Sequence, residues 1–142
     1  VVRRMVDLAK QHNLLLHVHS DADAIDRIFA HDPQARVVWA HAGFEEPARV
    51  RQAMSAHKNL WADLSIRSDV ADGAKVAGNW RKLFLDFPDR FMVGTDTYSP
   101  ERWSDVAAHA DWVRTWLADL PPSVAERIAH KNGEAVIAAA FR

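Results

Sequence analysis

With 142 residues, 49% of them hydrophobic and 26% charged, the chain has the size and composition of one packed domain. Its net charge of −1 and the lack of a basic stripe exclude nucleic acid as the main partner, and no apolar run approaches the roughly 20 residues that a membrane span needs. The absence of cysteine excludes disulfides, thiolate metal sites and cysteine nucleophiles, and it fits a reducing, cytoplasmic compartment.

Val2, Met5, Val6 and Ala9 recur at helical spacing over residues 1–11, with Asn13 as a C-terminal cap. Residues 14–19 form a short apolar strand. Ser20 or Asp21 caps a helix whose apolar positions are Ala24, Ile25, Ile28 and Phe29, and Asp32-Pro33 stops it. Residues 36–41 make a second strand, which Ala42-Gly43-Phe44 turns toward a helix from Pro47 to about His57. Residues 60–65 are the third strand, 66–78 a loop with helical pieces, and 80–87 a helix stopped by Pro88. Residues 90–96 are the fourth strand. After the loop 97–100, one long helix is predicted over 101–120. Ser123 and Glu126 form a capping-box pattern for a helix to about His130, and residues 132–141 close the chain as a helix ending at Phe141.

Strands alternating with helices at this spacing predict an α/β fold with a parallel sheet and right-handed crossovers. In such folds the carboxyl ends of the strands carry function. Here those ends hold His17 and His19, then His41, then Asp63 and Ser65, then Asp96. Strict alternation puts His17 and His19 on one face with Leu15, His41 with Val37 and Trp39, and Asp96 with Met92 and Gly94. Capping accounts for an aspartate or serine at a turn, and less well for histidine. Two imidazoles and a carboxylate from separate strands suit a divalent metal, which brings the pKa of bound water toward neutrality. Asp96 is the candidate to move that water's proton, the plainer alternative being a turn cap into residues 97–100. Arg67 is placed either to meet a substrate carboxylate or as a solvated loop residue; Trp39 and Trp61 either wall a pocket or pack the core.

Four pieces taken in order carry a resemblance. They are Leu16-His17-Val18-His19, Val38-Trp39-Ala40-His41-Ala42-Gly43, Trp61-Ala62-Asp63-Leu64-Ser65 and Phe91-Met92-Val93-Gly94-Thr95-Asp96. Together they resemble the amidohydrolase-related group of metal-dependent hydrolases, and Asn132-Gly133-Glu134-Ala135-Val136-Ile137 resembles its closing helix. The resemblance implies the C-terminal half, strands five to eight, of a TIM (β/α)8 barrel, with residues 1–142 as a single partial domain.

It also implies roles. His19, or His17 beneath it, would be the strand-five metal ligand, His41 the strand-six ligand, and Asp96 the strand-eight ligand and proton shuttle. Asp63 and Ser65, with Trp39, Trp61 and Arg67, would line or support the substrate pocket. The implied metal is zinc, with manganese as the alternative, and the implied reaction is attack of activated water on an amide, ester or lactone of a small-molecule substrate. Relatives of this type include decarboxylases of aromatic or unsaturated acids, which an acidic substrate at Arg67 would suit. The third outcome is an inactive half-barrel module. Four strands cannot close a barrel, so the expected partner is an N-terminal half carrying the first His-x-His pair, or a second copy of the chain.

Overall fold

Two local signals at the start of the chain set its first strand. The structure is a computed structural model that describes residues 1–140. Val6 and Ala9 face inward from α1 (Val2–Gln11), and Asn13 beyond it takes φ 54°. Asparagine tolerates that left-handed conformation, and the Leu14 amide donates back to Ala9 O at 2.7 Å, closing the helix end. β1 (Leu16–Val18) follows, and Asp21 accepts the Ala24 amide at 2.8 Å as the N-cap of α2 (Ala22–His31).

The strand–helix step then repeats. β2 (Val37–Trp39) leads to α3 (Pro47–Ala56), with Pro47 in the first turn where no amide hydrogen is needed. β3 (Leu60–Asp63) is followed by a small antiparallel hairpin, β4 (Ala71–Asp72) and β5 (Lys75–Val76), and then by α4 (Gly78–Asp86). β6 (Phe91–Met92) completes the sheet, before α5 (Pro100–Trp103), α6 (Val106–Leu117), α7 (Pro122–Glu126) and α8 (Asn132–Ala140).

The four-stranded sheet runs in the order β1-β2-β3-β6, all parallel. Leu16 lies beside Val37, Val37 beside Leu60, and Ala62 beside Phe91. Val37, Trp39, Leu60, Ala62 and Phe91 share one core with the helices, into which Ile25, Phe29, Met54, Trp80, Phe84 and Trp116 pack. Burying each such side chain is worth roughly 1.5–3 kcal/mol. At the amino ends of the strands, Asn132 Nδ2 donates to Pro88 O at 2.9 Å and Phe91 O at 2.7 Å. Arg36 Nη1 reaches Ala139 O at 2.8 Å, so α8 runs beneath the sheet.

Four expectations change. The helix expected over 101–120 is two, because the chain kinks at Ser104-Asp105, where Ser104 Oγ donates to Glu101 O at 2.9 Å and competes with the helical ladder. The 66–78 loop contains the β4–β5 hairpin, turned by Gly73 at φ 54°. The Ser123–Glu126 box does not form: Pro121 occupies the cap position, and Glu126 pairs with Lys131 at 2.7 Å. Alternation fails at β2, where Val37 and Trp39 face the helices and His41 lies beyond the strand end. Phe141, the expected end of α8, lies outside the described residues.

Gly43 sits at φ 63°, and a methyl group there would come within 2.6 Å of Trp39 Nε1, whose indole is fully buried and donates to Ser20 O at 2.8 Å. Gly43→Ala is therefore expected to lower stability by about 1–3 kcal/mol or more, read as a fall in the denaturant midpoint at unchanged m.

Candidate active site

His41 reaches the strand ends through a left-handed turn. Residues 41–44 take φ values of 55°, 48°, 63° and 55°. Only Gly43 adopts such a conformation freely; for His41, Ala42 and Phe44 it costs roughly 1–2 kcal/mol each. Arg67 holds the turn in place. Its guanidinium, 4% exposed, donates to His41 O at 3.2 Å and to Glu45 O at 2.9 Å. It is fixed in turn by two bonds of 2.7 Å to Asp69 and lies 4.8 Å from the Trp80 ring. Burial alone would raise the Asp69 carboxyl pKa, but hydrogen bonds from Arg67 and Trp80 outweigh it and hold the group below its ordinary value. The expected meeting of Arg67 with a substrate carboxylate is corrected by this geometry: its charge is already matched inside the protein.

A second buried charge gathers the remaining strand ends. Asp63 Oδ1 accepts from the Ser65 amide at 3.0 Å, the His41 amide at 3.3 Å and the Ser65 hydroxyl, while Oδ2 lies 3.2 Å from His17 Nε2. His41 Nδ1 is 2.9 Å from both Ser65 O and Ser65 Oγ. A carbonyl only accepts, so Nδ1 carries the proton, and in the neutral ring Nε2 keeps its lone pair. That nitrogen points toward Asp96, whose Oδ2 is 3.9 Å away. The His19 ring meets His41 edge-on with centroids 5.0 Å apart, and the exposed Phe44 ring stacks on His41 with centroids 5.0 Å apart. Gly94 gives this cluster room: a methyl group there would lie 3.1 Å from Ser65 Cβ.

The structure thus brings together His17, His19, His41, Asp63, Ser65 and Asp96. It places the two tryptophans elsewhere. Trp39 is fully buried in the helix-side core, which corrects its expected place in the pocket. Trp61 shares a cavity with Leu15, Arg36, Asp89 and Val136, at the opposite ends of the strands from Asp96, which corrects its expectation too. Among the described residues six non-glycine positions have positive φ, and five of them (His41, Ala42, Phe44, Ile66 and Asp96) follow the strand ends at this face. For a β-branched residue such as Ile66 this is a true outlier, and such strain collects where function over-determines geometry. Only Gly43 hinted at it in the sequence.

The donors fit a divalent metal in kind. An imidazole with a free Nε2, held by an outer hydrogen bond on Nδ1, and a nearby carboxylate are the usual partners of zinc. Among the described residues, however, no group of three or more His, Cys, Asp or Glu side chains is placed to hold a metal ion.

The amidohydrolase family model matches residues 1–137. The chain belongs to the amidohydrolase family. Among solved structures, this chain is similar to Bb4693 of Bordetella bronchiseptica, an uncharacterized TIM-barrel protein. The match has a TM-score of 0.80 at 18% identity and covers 99% of this chain and 51% of that one. No curated protein matches the amidohydrolase chain in sequence. The fold is therefore part of a TIM barrel, and the chain spans about half the length of the solved structure it matches. None of the described helices is long and apolar enough to cross a membrane.

The Arg67–Asp69 clamp carries a pH dependence. Because the Asp69 pKa lies lower in the folded chain than its ordinary 3.8, the clamp's contribution is complete above pH 3.8 and disappears as pH falls through the folded value. Asp69→Asn is expected to unfold more easily than the wild type at neutral pH, and the two denaturation midpoints should converge in acid below pH 3.8.

Proposed function

We propose that the assembled barrel to which this chain belongs is a metal-dependent hydrolase that attacks an amide, ester or lactone with water. One observation carries the reading: His41 Nε2, with its lone pair fixed by the Nδ1–Ser65 bond, faces the Asp96 carboxylate at 3.9 Å. His41 and Asp96, with His19 beside them, would hold a divalent ion, zinc or else manganese. When bound, that ion supplies Lewis acidity and lowers the pKa of water.

The residues of the chain itself divide the remaining work. Asp96, half-buried in the loop beyond β6, takes the proton from the attacking water and delivers it to the leaving nitrogen or oxygen. His41 keeps Nε2 aimed at the reacting face, because Asp63 and Ser65 hold its ring and its backbone amide. Phe44, exposed beside His41, supplies an apolar wall. The alternative of decarboxylating an aromatic acid draws no support from Arg67 or Trp39, which are engaged in the interior. The barrel is completed by further strands against the open edges of β1 and β6, supplied by the remainder of a longer polypeptide or by a second copy.

Two experiments test the proposal. Asp96→Asn is expected to lower kcat by roughly 10²–10⁴-fold on a panel of aryl amides, aryl esters and lactones, with the circular dichroism spectrum unchanged; full retained activity would overturn it. Asp63→Asn should weaken metal affinity or activity by about 10–100-fold through misplacement of His41. Chelation with readdition of zinc measures the affinity.

A further inference from the structure

The main sheet ends at β6, which has a strand neighbour on one side only. Along a parallel strand, the backbone groups of alternate residues point to opposite sides. The Ala62 amide donates to Arg90 O and the Leu64 amide to Met92 O, both at 2.9 Å, so Arg90 and Met92 face β3. Phe91 and Val93 therefore face outward. An edge of this kind is a template for another strand, and its groups are costly if they are buried unpaired.

These outward groups are already taken. Asn132, buried at the start of α8, donates to Phe91 O at 2.7 Å and to Pro88 O at 2.9 Å. The Val93 amide donates to Ile128 O at 3.2 Å. That carbonyl is available because Arg127–Lys131 winds as a π-turn. In an α-helix the Asn132 amide would bond to Ile128 O; here it reaches one residue further back, to Arg127 O. The fully buried Ile128 side chain anchors the turn in the core. The other end of the sheet differs. In β1 the Leu16 amide donates to Arg36 O, so Leu15 and His17 face outward. Among the described residues, no backbone bond from outside the β1–β2 ladder reaches either of them.

We propose that residues 127–132 form a strap that gates assembly: it holds the place of the strand that would extend the sheet beyond β6. A strand pairs there only after the π-turn and Asn132 let go. Pairing at β1 meets no such obstacle, so the two edges of the sheet are unequal. The inference rests on backbone geometry and on nothing in the hydrolytic reading, so either can fail without the other.

Amide hydrogen exchange, followed by NMR on the whole chain, reads the strap directly. The Val93 amide is expected to be protected in the wild type. Deleting the exposed His130 takes the extra residue out of the turn and returns Ile128 O to the helical ladder. Exchange at Val93 should then quicken by about tenfold or more. The Leu64 amide, bonded to the β3 side of β6, should keep its protection, whereas a general loosening of the fold would expose both. Asn132→Leu removes the side-chain bonds of the strap and repeats the comparison should the deletion not fold. Sedimentation velocity reads the gate, with a second copy of the chain supplying the strand: the variant with Val93 released should self-associate at lower concentration than the wild type. The proposal is overturned if Val93 exchanges as an unprotected amide in the wild type, or if it stays protected in both variants. It is equally overturned if Val93 and Leu64 lose protection together, or if a chain with Val93 released associates no more than the wild type.

Discussion

The functional face rests on one buried guanidinium. A run of left-handed backbone after β2 is unfavourable for every residue in it but Gly43, and Arg67 brackets it, bonding the His41 carbonyl at its start and the Glu45 carbonyl just past its end. The arginine in turn needs Asp69 and the Trp80 ring to offset its own burial. This chain of dependence runs from the loop after β3, through α4, to the histidine at the end of β2. The position of His41 is thus decided by residues far from it in sequence, and replacing any of them loosens the turn before it touches the sheet.

Asp63 does a different job with the same economy of charge. It lies one strand over and accepts from groups on three strand ends, so β1, β2 and β3 meet at one carboxylate. The arginine constrains the backbone of the turn, whereas the aspartate, through Ser65, constrains the imidazole. A site assembled from separate strands needs both, since a rigid backbone with a freely rotating ring would not keep a lone pair directed at Asp96.

Legibility in the sequence followed the range of the forces involved. Helix caps and strand boundaries act over three or four residues, so Asn13, Asp21 and Pro47 could be read directly. The strand-end histidines and Asp96 were visible because residue type and fold topology both pointed to them. Alternation misassigned His41, because its premise of extended backbone fails in a left-handed turn. Trp39, Trp61 and Arg67 looked alike as pocket candidates, and only the packing of distant segments separates them: one in the helix-side core, one at the amino ends of the strands, one in an internal clamp.

The strand order has a consequence for how the molecule assembles. Each strand of the main sheet pairs with the sheet strand made just before it, from β1 to β2, β3 and β6. The sheet can therefore grow in the direction of synthesis, every new strand finding its neighbour already in place, and no early segment waits exposed for a distant mate. The strained turn is fixed at a delay: His41 is made 26 residues before Arg67, and the Trp80 ring that flanks the guanidinium comes later still, so the turn is clamped only once β3 and α4 are in place.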